Sequence, residues 1–230
     1  MRLIDRFSSL LFDMNSTFMF GEDRFGERED FHRTYCAAGG TRLSSVEVTR
    51  YMRACYEGMA RDYVNPARYD DFPSLLEGFR LYASTPEDEL PFLERSFALH
   101  ELGSVPELSA DVLRRLAGTH RLGLVANIWA PKELWLEEFK RAGIESVFRH
   151  AVFSSDCRSV KPSPVLFAKA LQGMGAMAND TLFIGDSLRC DMEGAKNAGM
   201  TTVWVTAEAV KHPAVDFAVS SIAELESVKG

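Results

Sequence analysis

Five short apolar runs govern what this chain can fold into. They are Leu10-Leu11-Phe12, Leu122-Gly123-Leu124-Val125, Ala151-Val152-Phe153, Leu182-Phe183-Ile184 and Val203-Trp204-Val205. None alternates apolar with polar residues, so each reads as a strand buried on both faces, the pattern of a parallel sheet covered by helices. Helix-length amphipathic segments lie between the later runs. Lys132 to Ala142 is stopped by Gly143, Pro164 to Leu171 follows a Lys-Pro loop, and Asp191 to Ala198 is stopped by Gly199. Strand alternating with helix from about residue 121 onward predicts βαβ units and a doubly wound, Rossmann-like α/β sheet.

From about Arg28 to Gly103 the pattern is helical throughout. Ser44-Ser45-Val46-Glu47 is a capping box that opens a helix running to about Asp62. Thr85-Pro86-Glu87-Asp88 reads as an N-cap, a first-turn proline and two acids suited to a helix dipole. Phe72, Leu75, Leu76 and Phe79 recur at helical spacing. An all-α insertion after the first strand is therefore expected: residues 1–17 and 104–230 form the core, and residues 18–103 form the insertion with its hinge. Phe18 to Phe25, with Gly21, reads as the hinge, and Gly103-Ser104-Val105-Pro106 as the return linker.

Composition excludes several classes. The 230 residues are 46% hydrophobic, enough for a sizeable core, which sets aside collagen-like and disordered chains. Lys and Arg number 26 against 33 Asp and Glu, a net charge of −7, and no basic stripe marks a nucleic-acid binder. No apolar run approaches the ~20 residues of a membrane span. Charges within Met1 to Arg6 interrupt any signal-peptide core. Cys36, Cys55, Cys157 and Cys190 lie apart, without a CxxC pair or zinc-spaced histidines, and read as reduced thiols. A soluble cytoplasmic protein, monomeric or homodimeric, is expected, with neither nucleic acid nor membrane as partner.

In open parallel sheets ligands bind beyond the carboxyl ends of strands. Those positions hold Asp13-Met14-Asn15-Ser16-Thr17, then Ala126-Asn127, then Lys161-Pro162-Ser163-Pro164, then Gly185-Asp186-Ser187 with Asp191 five positions on. Singly, each is ordinary turn chemistry. Together they bring carboxylates, a lysine and polar loop groups to one sheet edge.

With these four stations in order, the sequence resembles the haloacid dehalogenase superfamily with a helical cap inserted after its first motif. Phe12 to Thr17 matches the Asp-x-Asp-Gly-Thr motif except at Asn15 and Ser16. Val125-Ala126-Asn127 matches the hydrophobic-Ser/Thr-Asn motif except at Ala126. Val160 to Pro164 matches the lysine motif, and Gly185 through Met200 the acidic motif. The resemblance implies a Rossmann-like core, a mobile cap and, most often, a Mg²⁺-dependent phosphohydrolase acting on a small phosphorylated metabolite; fold alone does not carry that function.

On that resemblance Asp13 is the nucleophile, forming an aspartyl phosphate. Asp13, Asp186 and the main-chain carbonyl of Asn15 supply hard oxygens for Mg²⁺, and Asp191 and Ser187 support them. Lys161 neutralises the nucleophile and the phosphoryl oxygens. Thr17, Asn127 and the residue at 126 position the phosphoryl group, and Arg42, in the Gly39-Gly40-Thr41-Arg42 turn of the cap, meets an anionic substrate group or is simply solvated. Trp129 either stacks on substrate or packs, and His32 is the first alternative proton donor.

The departures define the alternatives. Asn15 stands where the family has its second aspartate, and a carboxamide exchanges no proton at neutral pH. General acid–base help is worth ~10² to 10⁴ in rate. Ala126 removes a hydroxyl donor worth about 0.5 to 1.5 kcal/mol. Three readings follow: a weakened or specialised phosphatase or phosphotransferase, a non-catalytic protein of the same fold, or a carbon–halogen or carbon–phosphorus hydrolase. Against the last stand Asp186, which dehalogenases lack, and Phe167 where they resemble having a tyrosine.

Overall fold

The computed structural model describes residues 1–208 and 211–229. Its centre is a six-stranded sheet in which every pairing is parallel: β1 (Ser9–Phe12), β2 (Arg121–Ala126), β3 (Phe148–Phe153), β4 (Thr181–Gly185), β5 (Thr201–Val205) and β6 (Phe217–Val219), in the order β3-β2-β1-β4-β5-β6. The five predicted strands are present. β6 was not foreseen, because three residues of which Ala218 is exposed make no apolar run. In register, Phe12 lies opposite Leu124 on one side and Ile184 on the other. The chain builds outward from β1 to β3 and then crosses to β4 on the far side of β1. That reversal opens a crevice beyond the ends of β1 and β4, where Asp13 and Asp186 emerge.

Between β1 and β2 the regular structure is helical: α1 (Phe31–Ala37), α2 (Ser45–Tyr63), α3 (Leu75–Gly78) and α4 (Leu90–Glu101). The capping box at Ser44 and Glu47 forms as read, and a second one, Ser74 with Glu77, opens α3. Thr85 caps nothing; its hydroxyl donates to the Phe79 carbonyl at 3.3 Å, and the short turn that follows has no side-chain cap. α3 runs on as a π turn, Phe79–Ala83, so the apolar spacing there is not that of one long helix. Phe20 and Ser104 exchange two main-chain hydrogen bonds of 2.9 Å, so the linkers into and out of this region lie side by side.

Alternation along the strands divides the core. Leu10, Phe12, Leu124 and Ile184 join Leu113 and Leu116 of α5 (Glu107–Ala117) and Trp135 and Phe139 of α6 (Glu133–Arg141), in a cluster continuous with the helical insertion. Leu11, Val125 and Phe183 face the other way, onto Leu166, Phe167 and Met174 of α7 (Pro164–Met174) and Ala195 of α8 (Gly194–Asn197). α7 ends at Gly175, whose φ of 60° no side-chain residue adopts cheaply. The segment predicted as one helix from Asp191 to Ala198 is a π turn, Leu188–Glu193, followed by α8. No helix among the described residues is long and apolar enough to cross a membrane.

Candidate active site

The loop ends bring one ammonium among carboxylates. Lys161 is 2% exposed; its Nζ bonds to Asp13 Oδ1 and, at 2.7 Å, to Asp191 Oδ1. Thr17 Oγ1 donates to the other Asp13 oxygen at 3.1 Å. The Ser187 amide donates to Asp191 Oδ2 at 3.0 Å, and the Ser187 hydroxyl accepts from the Cys190 amide, which fixes the turn that presents Asp191. Gly185 leaves room for that approach, since a Cβ there would lie 2.5 Å from Asp191 Oδ2. Asp186 is held through its main chain, whose carbonyl accepts the Trp204 indole N–H at 2.7 Å.

One carboxylate oxygen from each of Asp13, Asp186 and Asp191 lies within 4.8 Å of the others, and these are the residues able to hold a cation. Burial works against the Lys161 charge, but Asp13 and Asp191 outweigh it and keep the ammonium protonated. Asp186 and Asp191 are both pushed upward, chiefly by burial, and for Asp186 also by the charges of Asp13 and Asp191. A single lysine thus leaves the group short of positive charge. Asp191, expected as a support, stands as near the centre as the other two.

The remaining candidates are placed less simply. Asn127 Oδ1 accepts the Lys161 amide at 2.9 Å, which fixes its side-chain orientation, and its Nδ2 donates to the Tyr63 hydroxyl at 2.8 Å. Its carboxamide therefore holds the lysine loop in place. Ala126 is buried and does not line the cavity. Asn15 does line it, and its Oδ1 is buried without a hydrogen-bond partner. Ser16 takes φ 56°, the left-handed conformation that glycine adopts freely, at a cost of about 1 kcal/mol; its hydroxyl donates to Glu22 at 2.7 Å.

Arg42 is a correction. It sits in the α1–α2 turn, paired with Asp88 and Glu89, and does not line the cavity. His32 is likewise absent from the lining, bonding to the Leu43 carbonyl at 3.2 Å. The cavity, about 340 Å³, instead takes another wall from residues without a motif: Glu22 and Asp23 of the segment before α1, Tyr56 and Tyr63 of α2, and Glu101 of α4. Trp129 joins them, its amide donating to Glu101 at 2.6 Å. Only their place after the first motif could have flagged Glu22 and Asp23.

The insertion also grips the lysine loop directly. Phe72 N–H donates to the Arg158 carbonyl and Val160 N–H to the Tyr69 carbonyl, each at 2.9 Å. Arg158 pairs with Glu77 at 2.7 Å and Asp71 at 3.2 Å.

Comparison with known proteins agrees with this architecture. Residues 98–205 match the family model described as haloacid dehalogenase-like hydrolase. The glyceraldehyde 3-phosphate phosphatase of Pyrococcus abyssi is 36% identical over 103 residues, 45% of this chain and 42% of that protein. That of Methanopyrus kandleri is 28% identical over 204 residues, covering 85% and 82%. The human N-acylneuraminate-9-phosphatase is 27% identical over 61% of this chain and 58% of its own. The chain thus spans about two fifths of the Pyrococcus relative and just over half of the human one. Among solved structures, a HAD phosphatase from Thermococcus onnurineus superposes with a TM-score of 0.63 at 23% identity, over 96% of both chains. A 2-haloacid dehalogenase from Pseudomonas syringae pv. Tomato gives 0.65 at 18%, over 96% and 97%. The family model matched over residues 98–205, the shared fold and the carboxylates gathered around Lys161 agree in one respect: this chain is similar to the haloacid dehalogenase-like hydrolases.

Proposed function

We propose that the chain is a Mg²⁺-dependent phosphohydrolase or phosphotransferase, with Asp13 as the phosphoryl acceptor and a small phosphorylated metabolite as substrate. The observation that carries this reading is the buried ammonium of Lys161 bonded to both Asp13 and Asp191, with Asp186 in the same cluster. The donor set fits Mg²⁺: its carboxylates are hard oxygens, and they are crowded enough to push Asp186 upward. Asp13, Asp186 and the Asn15 carbonyl would hold the ion, supported by Asp191 and Ser187. When bound, it supplies charge neutralisation between an anionic nucleophile and an anionic substrate.

The chain's own residues do the rest. Thr17 and Lys161 take one Asp13 oxygen each, which orients the carboxylate for attack on phosphorus. Lys161 offsets charge on the transferring group, and Asn127 keeps the lysine in register. Asn15 offers an amide to the leaving oxygen but no proton, so the reaction favours good leaving groups. Residues 18–103 act as the cap that closes the cavity from water. The phosphatase names of the relatives support this substrate class, and four unpaired cysteines suit a reducing cytoplasm.

Asn15 is also what favours a second reading, a non-catalytic protein of this fold. Incubation with acetyl phosphate and p-nitrophenyl phosphate, with Mg²⁺ and with EDTA, separates the two. Metal-dependent turnover and a mass adduct on Asp13, both lost in Asp13→Asn, are expected. A folded, Mg²⁺-binding protein with neither turnover nor adduct overturns the phosphohydrolase reading.

A further inference from the structure

Six carboxylates line the cavity: Asp13, Glu22, Asp23, Glu101, Asp186 and Asp191. Among the described residues that line it, Lys161 is the sole cationic side chain. Lys161 is already engaged by Asp13 and Asp191. A dication together with Lys161 balances the three aspartates of the phosphoryl end and leaves nothing for Glu22, Asp23 and Glu101. These three belong to the segment before α1 and the end of α4, and they share the cavity with the rings of Tyr56 and Trp129, whose centroids are 5.6 Å apart.

Glu101 is fully used by the protein, its two oxygens accepting the Trp129 and Ala130 amides at 2.6 and 2.9 Å, whereas Glu22 and Asp23 are not. Glu22 Oε1 accepts from Ser16, but its Oε2 is buried with no partner. Asp23 is an exposed residue at the cavity, and neither of its carboxylate oxygens accepts a hydrogen bond from the described residues. Desolvation by its surroundings and the neighbouring Glu22 push Asp23 up to about 6; burial and Asp23 push Glu101 up to about 8. Such crowding is what a cation relieves.

We infer that the leaving group carries a positive charge: the substrate is an aminoalkyl or quaternary ammonium phosphate ester, whose cation meets the carboxylates of Glu22 and Asp23 and the rings of Tyr56 and Trp129, and makes the leaving oxygen less basic, so that it departs without a proton from Asn15 and takes one from water. Aromatic faces beside carboxylates attract ammonium groups by their quadrupole and by Coulomb force together. A hydroxylated ester donates hydrogen bonds here but leaves the charge unbalanced, and a carboxylated ester is repelled. The chemistry rests on the phosphohydrolase reading; the binding does not.

Calorimetry on the full chain with Mg²⁺ tests the binding with three unreactive probes: 2-aminoethylphosphonate, ethylphosphonate and 2-carboxyethylphosphonate. The amine is expected to bind at least about tenfold tighter than the ethyl compound, and the carboxylate most weakly of all. Glu22→Gln with Asp23→Asn should reduce the amine's advantage to about twofold or less; should that pair not fold, Asp23→Asn and Tyr56→Leu singly should each lower it. Equal binding of amine and ethyl probes, or an advantage untouched by these variants, overturns the inference. Hydrolysis of acetyl phosphate without an amine preference sinks the inference and spares the phosphohydrolase reading. Amine-selective binding without hydrolysis of any ester does the reverse.

Discussion

Replacing Lys161 by methionine keeps the side chain's length and bulk but deletes the charge that Asp13 and Asp191 share. The lysine is 2% exposed and its ammonium is bonded to both carboxylates, with Asp186 in the same group. Removing one partner of a buried ion pair typically costs about 3 to 5 kcal/mol, because the remaining charge is left uncompensated. Since methionine fills the space, little of the loss comes from a cavity. The orphaned carboxylates will take up protons, so the folded variant binds more protons than its unfolded chain. Its deficit is then largest above neutrality and shrinks as pH falls. A site-bound cation acts in the same direction: at a concentration 100-fold above its dissociation constant it returns about 2.7 kcal/mol. Urea unfolding at pH 5, 7 and 8, with Mg²⁺ and with EDTA, reads all three effects. A loss under about 1 kcal/mol at pH 7, or one that neither acid nor Mg²⁺ reduces, refutes this account of the cluster.

Three other outcomes are expected. Asn15→Asp restores a proton donor to a nearly isosteric side chain and should raise turnover of an alkyl phosphate by at least about tenfold; no change across a leaving-group series counts against Asp13 chemistry. Tyr63→Phe removes the acceptor of the Asn127 amide, and with it a hydroxyl facing the cavity. Inorganic phosphate should bind about three- to tenfold more weakly in this variant; a null result in calorimetry excludes the hydroxyl from phosphoryl binding. Glu101, raised from 4.5 to about 8, contributes stability that is complete below pH 4.5 and lost as pH rises through about 8. Asp23→Asn removes one cause of the shift, so the falling limb of Tm against pH should move to lower pH, and an unmoved limb would separate the two groups.

Residues within or just beyond strands were legible because local rules place them. A buried strand announces itself by unbroken apolar character, and whatever follows lands at the sheet edge; hence Asp13, Lys161, Asp186 and Asp191 could be gathered before any coordinates. What depends on docking one unit against another was silent. Tyr56, Tyr63 and Glu101 face the cavity only because their helices settle in that orientation, and helical spacing marks the apolar stripe without saying which flank meets the substrate. Arg42 failed for the same reason, its partners Asp88 and Glu89 being remote in sequence. β6 and the two π turns escaped because three residues, or one extra residue in a turn, leave too faint a periodic trace.

Main-chain hydrogen bonds join the helical insertion to the core at two separated places, at the paired linkers Phe20 and Ser104 and again where Tyr69 and Phe72 bond to Val160 and Arg158. Tyr63 and Glu101 add ties between them, to Asn127 and to the Trp129 and Ala130 amides, so the insertion is held along a rim and not at a single pivot. One stretch of that rim is the loop that carries Lys161, so any large excursion of the insertion first has to unfasten the backbone beside the site's lysine.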